Sequence, residues 1–140
     1  MSRRLLARLA LAPVLTLALV GAVTTATPAT AEGDPSLGRV SVPDQQLLQG
    51  CNRYRAHYVI RVPGSQFTGY VQIYSPRGRK VTGNLIDTGD DTPRRGTVRF
   101  KICDNSVVPG RFKAVLKLIY QSAGEQRRGR SEPDYFRLRR

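Results

Sequence analysis

The chain has 140 residues, of which 40% are hydrophobic, and its 23 lysines and arginines against 10 acids give a formal charge of +13. That length is enough for one domain with a modest core. With two cysteines and one histidine, the nitrogen and sulfur ligands of a zinc site, about four in number, cannot be assembled.

Arg3, Arg4 and Arg8 lead into an almost wholly apolar run at residues 9–23, and Ala29-Thr30-Ala31 carries the small-x-small pattern that signal peptidases cut. Residues 1–31 therefore read as a secretory signal peptide, and 32–140 as a single extracellular domain. The apolar run is broken by Pro13 and is shorter than the roughly 20 residues of a spanning helix, so no membrane anchor is expected. Cleavage would leave about 109 residues carrying about +10 charges, which favours attraction to polyanions. A basic, arginine-rich surface also keeps an exported protein soluble, so the charge by itself does not decide between function and composition.

Past the leader, short segments of alternating polarity are separated by proline and glycine, the pattern of β-strands. Residues 39–42 supply a first strand, and residues 44–49, after Pro43, a single helical turn. In residues 52–62, Tyr54, Ala56, Tyr58, Ile60 and Val62 take one face while Arg53, Arg55, His57 and Arg61 take the other. Strands at 69–74 and 79–86 flank the turn Ser75-Pro76-Arg77-Gly78, where proline presets φ and glycine relieves the turn's close. Gly83-Asn84 suggests a kink, and residues 87–93 a polar loop. Val98, Phe100 and Ile102 alternate with Thr97, Arg99 and Lys101; Phe112, Ala114, Leu116, Leu118 and Tyr120 then mark the longest strand. Residues 121–133 read as a flexible polar connection, and Phe136 and Leu138 as the inward side of a last strand. The expectation is an all-β, antiparallel sandwich of about seven strands with Tyr54, Ile60, Val71, Phe100, Phe112, Leu116 and Leu118 in its core.

The segment Val108-Pro109-Gly110-Arg111-Phe112-Lys113-Ala114-Val115 resembles the proline-glycine-aromatic entry to the penultimate strand of small secreted bacterial immunoglobulin-like and fibronectin-type domains. The resemblance implies a single immunoglobulin-like β-sandwich and is silent on function. No tryptophan is present, and the cysteines do not fall in the two strands that antibody domains bridge.

Cys51 and Cys103 are expected to form one disulfide in an oxidising compartment. Cys51 has the outward parity of Arg53 and Arg55, and Cys103 that of Arg99 and Lys101. In the topology the resemblance implies, these second and fifth strands are antiparallel neighbours, so a bridge between adjacent strands fits best. That register sets Tyr54 opposite Phe100 and Ala56 opposite Val98 inside, with Arg53 opposite Lys101 and Arg55 opposite Arg99 outside. These four cations are the candidate polyanion-binding residues.

Catalytic machinery is not evident, because His57 stands among arginines with no nucleophile at a recognisable elbow. Asp87, Asp90 and Asp91 cluster around Gly89 and could hold calcium, but the spacing matches no EF-hand and Arg94-Arg95 follow closely. No cofactor motif is present, and nucleic acid would be bound only non-specifically. The leading expectation is a secreted, non-enzymatic module that binds an anionic cell-wall or extracellular polymer. The alternative is a module that engages or inhibits an exported protein partner through a loop at 87–93 or 121–133. The leader makes the first testable point: intact-mass measurement of the exported protein should give a chain starting at or near Glu32, and residues 1–31 retained on a membrane-bound product would contradict it.

Overall fold

The computed structural model describes residues 33–86 and 93–140. The leader, and the candidate calcium cluster Asp87, Asp90 and Asp91, lie outside those residues. The fold is all-β, with strands β1 (Gly38–Ser41), β2 (Gln45–Gln46), β3 (Cys51–Ile60), β4 (Phe67–Tyr74), β5 (Lys80–Ile86), β6 (Arg95–Cys103), β7 (Gly110–Ser122), β8 (Glu125–Arg130) and β9 (Asp134–Arg139). Among the described residues no helix is long and apolar enough to cross a membrane.

One sheet is three-stranded and antiparallel, in the order β1-β3-β6. The other has six strands in the order β2-β9-β7-β4-β5, with β8 also on β7. It is mixed, because β2 runs parallel to β9. Strands β8 and β9 lie end to end along the same side of β7: β9 pairs with Gly110 to Ala114 and β8 with Lys117 to Ser122. Ser131 sits buried at the joint and keeps the ladder intact, its N–H donating to the Leu116 carbonyl (2.8 Å) and its hydroxyl accepting from the Leu116 N–H (3.2 Å). A side chain thus satisfies a buried backbone donor where the strand is interrupted.

The inward faces of both sheets contribute to one apolar core, which includes all seven residues expected there. Aromatic rings carry the contact from sheet to sheet. Tyr54 stacks on Phe100 (centroids 5.9 Å apart), Phe100 meets Phe136 edge-on at 6.2 Å, and Phe136 stacks on Phe112 at 5.6 Å. Such offset and edge-on ring pairs add to the apolar burial of the core. The Tyr54 hydroxyl accepts from the Leu48 N–H (3.1 Å), so the ring's polar end is satisfied. Tyr58 crosses over Gly96, its ladder partner, and donates to the Pro93 carbonyl, and burial pushes its hydroxyl pKa above the ordinary value.

Four local expectations change. Residues 44–49 form no helical turn; Gln45–Gln46 joins the sheet edge as β2, drawn there by Asp44, whose carboxylate accepts from the Arg137 N–H (2.7 Å) and pairs with Arg139 (3.2 Å). Gly83 and Asn84 do not kink β5, which runs through them opposite Gln72 and Val71, while the register shifts instead between Ile73 and Tyr74. The stretch 121–133 is not a flexible connection: β7 turns through Ala123 (φ 52°) and Gly124 (φ 80°) directly into β8. Among the described residues nine strands therefore replace about seven, β2 and β8 being the additions.

Strand β8 escaped its sequence because Glu125-Gln126-Arg127-Arg128-Gly129-Arg130 has no apolar alternation. Its one inward position of consequence is Gly129, where a Cβ would stand 2.3 Å from Leu37 Cδ1. The preceding 3-10 turn at Pro35–Leu37 thus supplies the apolar group that β8 lacks. The turn is also disguised, since alanine occupies a left-handed position that asparagine or glycine usually fills in a two-residue hairpin loop. Replacing Ala123 by Asn is expected to stabilise the protein by about 1 kcal/mol, read from the urea midpoint at constant m-value. A loss of stability would show that the turn is not the one described.

Candidate functional site

Strands β3 and β6 pair over nine residues in the register set by their cysteines. Cys51 and Cys103 are direct ladder partners joined by a disulfide, with Cα atoms 3.9 Å apart. Tyr54 faces Phe100 and Ala56 faces Val98 on the core side, while Arg53 faces Lys101 and Arg55 faces Arg99 outside. All four cations are exposed, so the structure brings together the candidate site as read from parity.

The ladder then widens the site. Along the outward face, the next row is Ser41, His57 and Thr97, and the row beyond is Arg39, Val59 and Arg95. Six cations (Arg39, Arg53, Arg55, Arg95, Arg99 and Lys101) therefore share one sheet surface, and no acid interrupts it among the described residues. None of the six has a carboxylate partner there. Successive rows lie two residues apart, about 7 Å, and paired cations within a row about 5 Å. The His57 Nδ1 lies 2.9 Å from the Thr97 hydroxyl, flanked by the arginine rows.

Arg39 and Arg95 were missed in the sequence. Arg39 stands between Gly38 and Val40 and so had legible outward parity, whereas Arg95 follows Arg94 and did not; the row each takes on the sheet depends on pairing partners that parity does not name. The edge of this sheet is held by two side-chain ties. Asn84 Nδ2 on β5 donates to the Arg99 carbonyl (2.6 Å), joining the two sheets beside the basic face. Arg94 lies over the Phe67 ring (5.5 Å) and donates to the carbonyls of Val62 (2.6 Å) and Gly64, which fixes the entry to β6.

The electrostatics of the face are unfavourable by themselves. Like charges directly opposite in an antiparallel ladder cost about a few tenths of a kcal/mol per pair in water, and long arginines relieve some of that by splaying. The disulfide opposes the loss: closing a loop across a sequence separation of 52 disfavours the unfolded chain by roughly 4 kcal/mol in the chain-entropy account. No protein-family model matches the chain, and no curated protein matches its sequence. Replacing Cys51 and Cys103 together by Ser should lower the unfolding free energy by about 2–4 kcal/mol in urea titration. An unchanged midpoint would show that the β3–β6 ladder needs no clamp.

Proposed function

We propose that the chain is a secreted, non-enzymatic binding module of immunoglobulin-like or fibronectin-type architecture, and that the outward face of β1, β3 and β6 meets an anionic cell-surface or extracellular polymer. The observation that carries the reading is the sheet surface of six cations without an acid, containing two directly opposed cation pairs. A surface needed only for solubility has no reason to align like charges across a ladder, whereas a bound polyanion turns their repulsion into shared attraction. Five of the six are arginines, whose planar donor forks match sulfate, phosphate and carboxylate oxygens.

The architectural part of the reading is supported by strand order. Three strands, β1-β3-β6, oppose a sheet built on β9-β7-β4-β5, and β7, which carries the Pro109-Gly110 entry and Phe112, lies between β4 and β9. The edge switch from β1 on one sheet to β2 on the other also fits such a sandwich. The loop-mediated alternative loses much of one candidate segment, because 125–130 lies paired on β7.

Heparin serves as the test polymer. With about four contacts per site, affinity should fall on the order of 50-fold between 50 and 200 mM salt. The double replacement Arg55→Ser with Arg99→Ser should weaken binding roughly tenfold or more and flatten the salt dependence, with thermal stability kept. Parent-like affinity of the double variant at low salt would overturn the assignment of this face.

A further inference from the structure

The second sheet repeats the feature that marks the first. On its outward side Arg111 on β7 lies directly opposite Arg137 on β9, and Lys117 on β7 directly opposite Arg130 on β8. Lys113, opposite Tyr135, occupies the row next to Arg111. The acids of β8 and β9 avoid this surface: Glu125, at the hairpin end, and Asp134, whose carboxylate accepts the Val42 N–H, both have the inward parity of Phe136 and Leu118.

Here the cations are also held in place. The Arg111 guanidinium lies over the Tyr135 ring at 4.0 Å, and Lys113 Nζ over the Tyr74 ring at 5.2 Å. The Tyr74 hydroxyl in turn donates to Gln72 Oε1 (2.8 Å). A guanidinium lying over an aromatic face keeps its N–H edge free, and a cation already ordered loses less entropy when an anion arrives. Val115 is buried on this outward side, apart from the apolar core, so the surrounding long side chains lie down over the sheet. Both Tyr70 and Tyr135 remain substantially exposed, and their rings offer apolar surface between the charges.

Each sheet turns its apolar side toward the shared core, so the two cationic surfaces look away from each other. Sheets pack about 10 Å apart, and outward side chains add to that on both sides. We propose that the outward face of the six-stranded sheet, centred on Arg111, Lys113 and Arg137, is a second site for an anionic polysaccharide, so that one molecule bridges two polymer chains. This rests on the reading of the first face as a polyanion site and adds a function to it: cross-linking rather than simple attachment. The tyrosines beside the second site favour a glycan, whose sugar rings present apolar faces as well as charge.

The test titrates the full chain with a short heparin fragment for stoichiometry and with long heparin for light scattering, at low salt. The parent should bind two fragments and should scatter strongly with long heparin near charge balance. Arg55→Ser with Arg99→Ser, and separately Arg111→Ser with Arg137→Ser, should each bind one fragment and lose most of the scattering. The charge-conserving pair Arg111→Lys with Arg137→Lys controls for lost packing on Tyr135 and should still bind two. One fragment on the parent, removed by Arg55→Ser with Arg99→Ser, would overturn bridging while leaving the first face as the binding site. Two fragments on the Arg111→Ser and Arg137→Ser variant would also overturn it, and no binding by the parent would overturn both readings.

Discussion

The register of β3 against β6 is the constraint on which the rest of the molecule depends. With Cys51 opposite Cys103, every second pair of the ladder is committed to one side: Tyr54–Phe100 and Ala56–Val98 face the core, and Arg53–Lys101 and Arg55–Arg99 face outward. A slip of β3 by one residue against β6 would turn Arg53 and Arg55 inward and Tyr54 and Ala56 outward, since side chains alternate strictly along a strand. The disulfide makes that slip geometrically unavailable. It also stands at the end of the ladder nearest the opposed cations, where repulsion would otherwise favour fraying.

From that ladder the core extends by aromatic contact. Phe100 reaches Phe136, and Phe136 reaches Phe112, so the register of the first sheet is transmitted to the centre of the second. Phe112 and Phe136 are themselves ladder partners on β7 and β9. Their inward orientation sends Arg111 and Arg137 outward as a pair, just as Tyr54 and Phe100 send out Arg53 and Lys101. Opposed cations on both surfaces are therefore the reverse side of opposed aromatics in the core.

Two architectural features tie the sheets at their margins. Leu37, delivered by the 3-10 turn before β1, fills the space over Gly129 on β8, while the Asp34 N–H donates to the Arg130 carbonyl (2.8 Å). At the opposite margin Asn84 on β5 bonds the backbone of β6. These contacts let a polar strand such as β8 stay in place without an apolar face of its own, since most of its ordering is supplied by β7 and by the N-terminal turn.

The alternation of single residues already determined much of this protein. Period two is local, so the inward sets of β3, β6 and β7, the Ser75-Pro76-Arg77-Gly78 turn, the cysteine pair and the four cations beside it were all legible in the chain. Tertiary structure decided what local pattern does not encode. Strand β8 has no apolar period and turns through an alanine; it exists because β7 offers it a ladder and Leu37 a cover. Residues 45 and 46 became a parallel edge strand because Asp44 found the backbone and side chains of β9, more than ninety residues away in sequence. Arg39 and Arg95 joined the basic face only when β1 and β6 took opposite sides of β3, and Arg111 met Arg137 only when β9 folded back on β7. Parity says which way a side chain points, but only the packing of distant strands says what stands next to it.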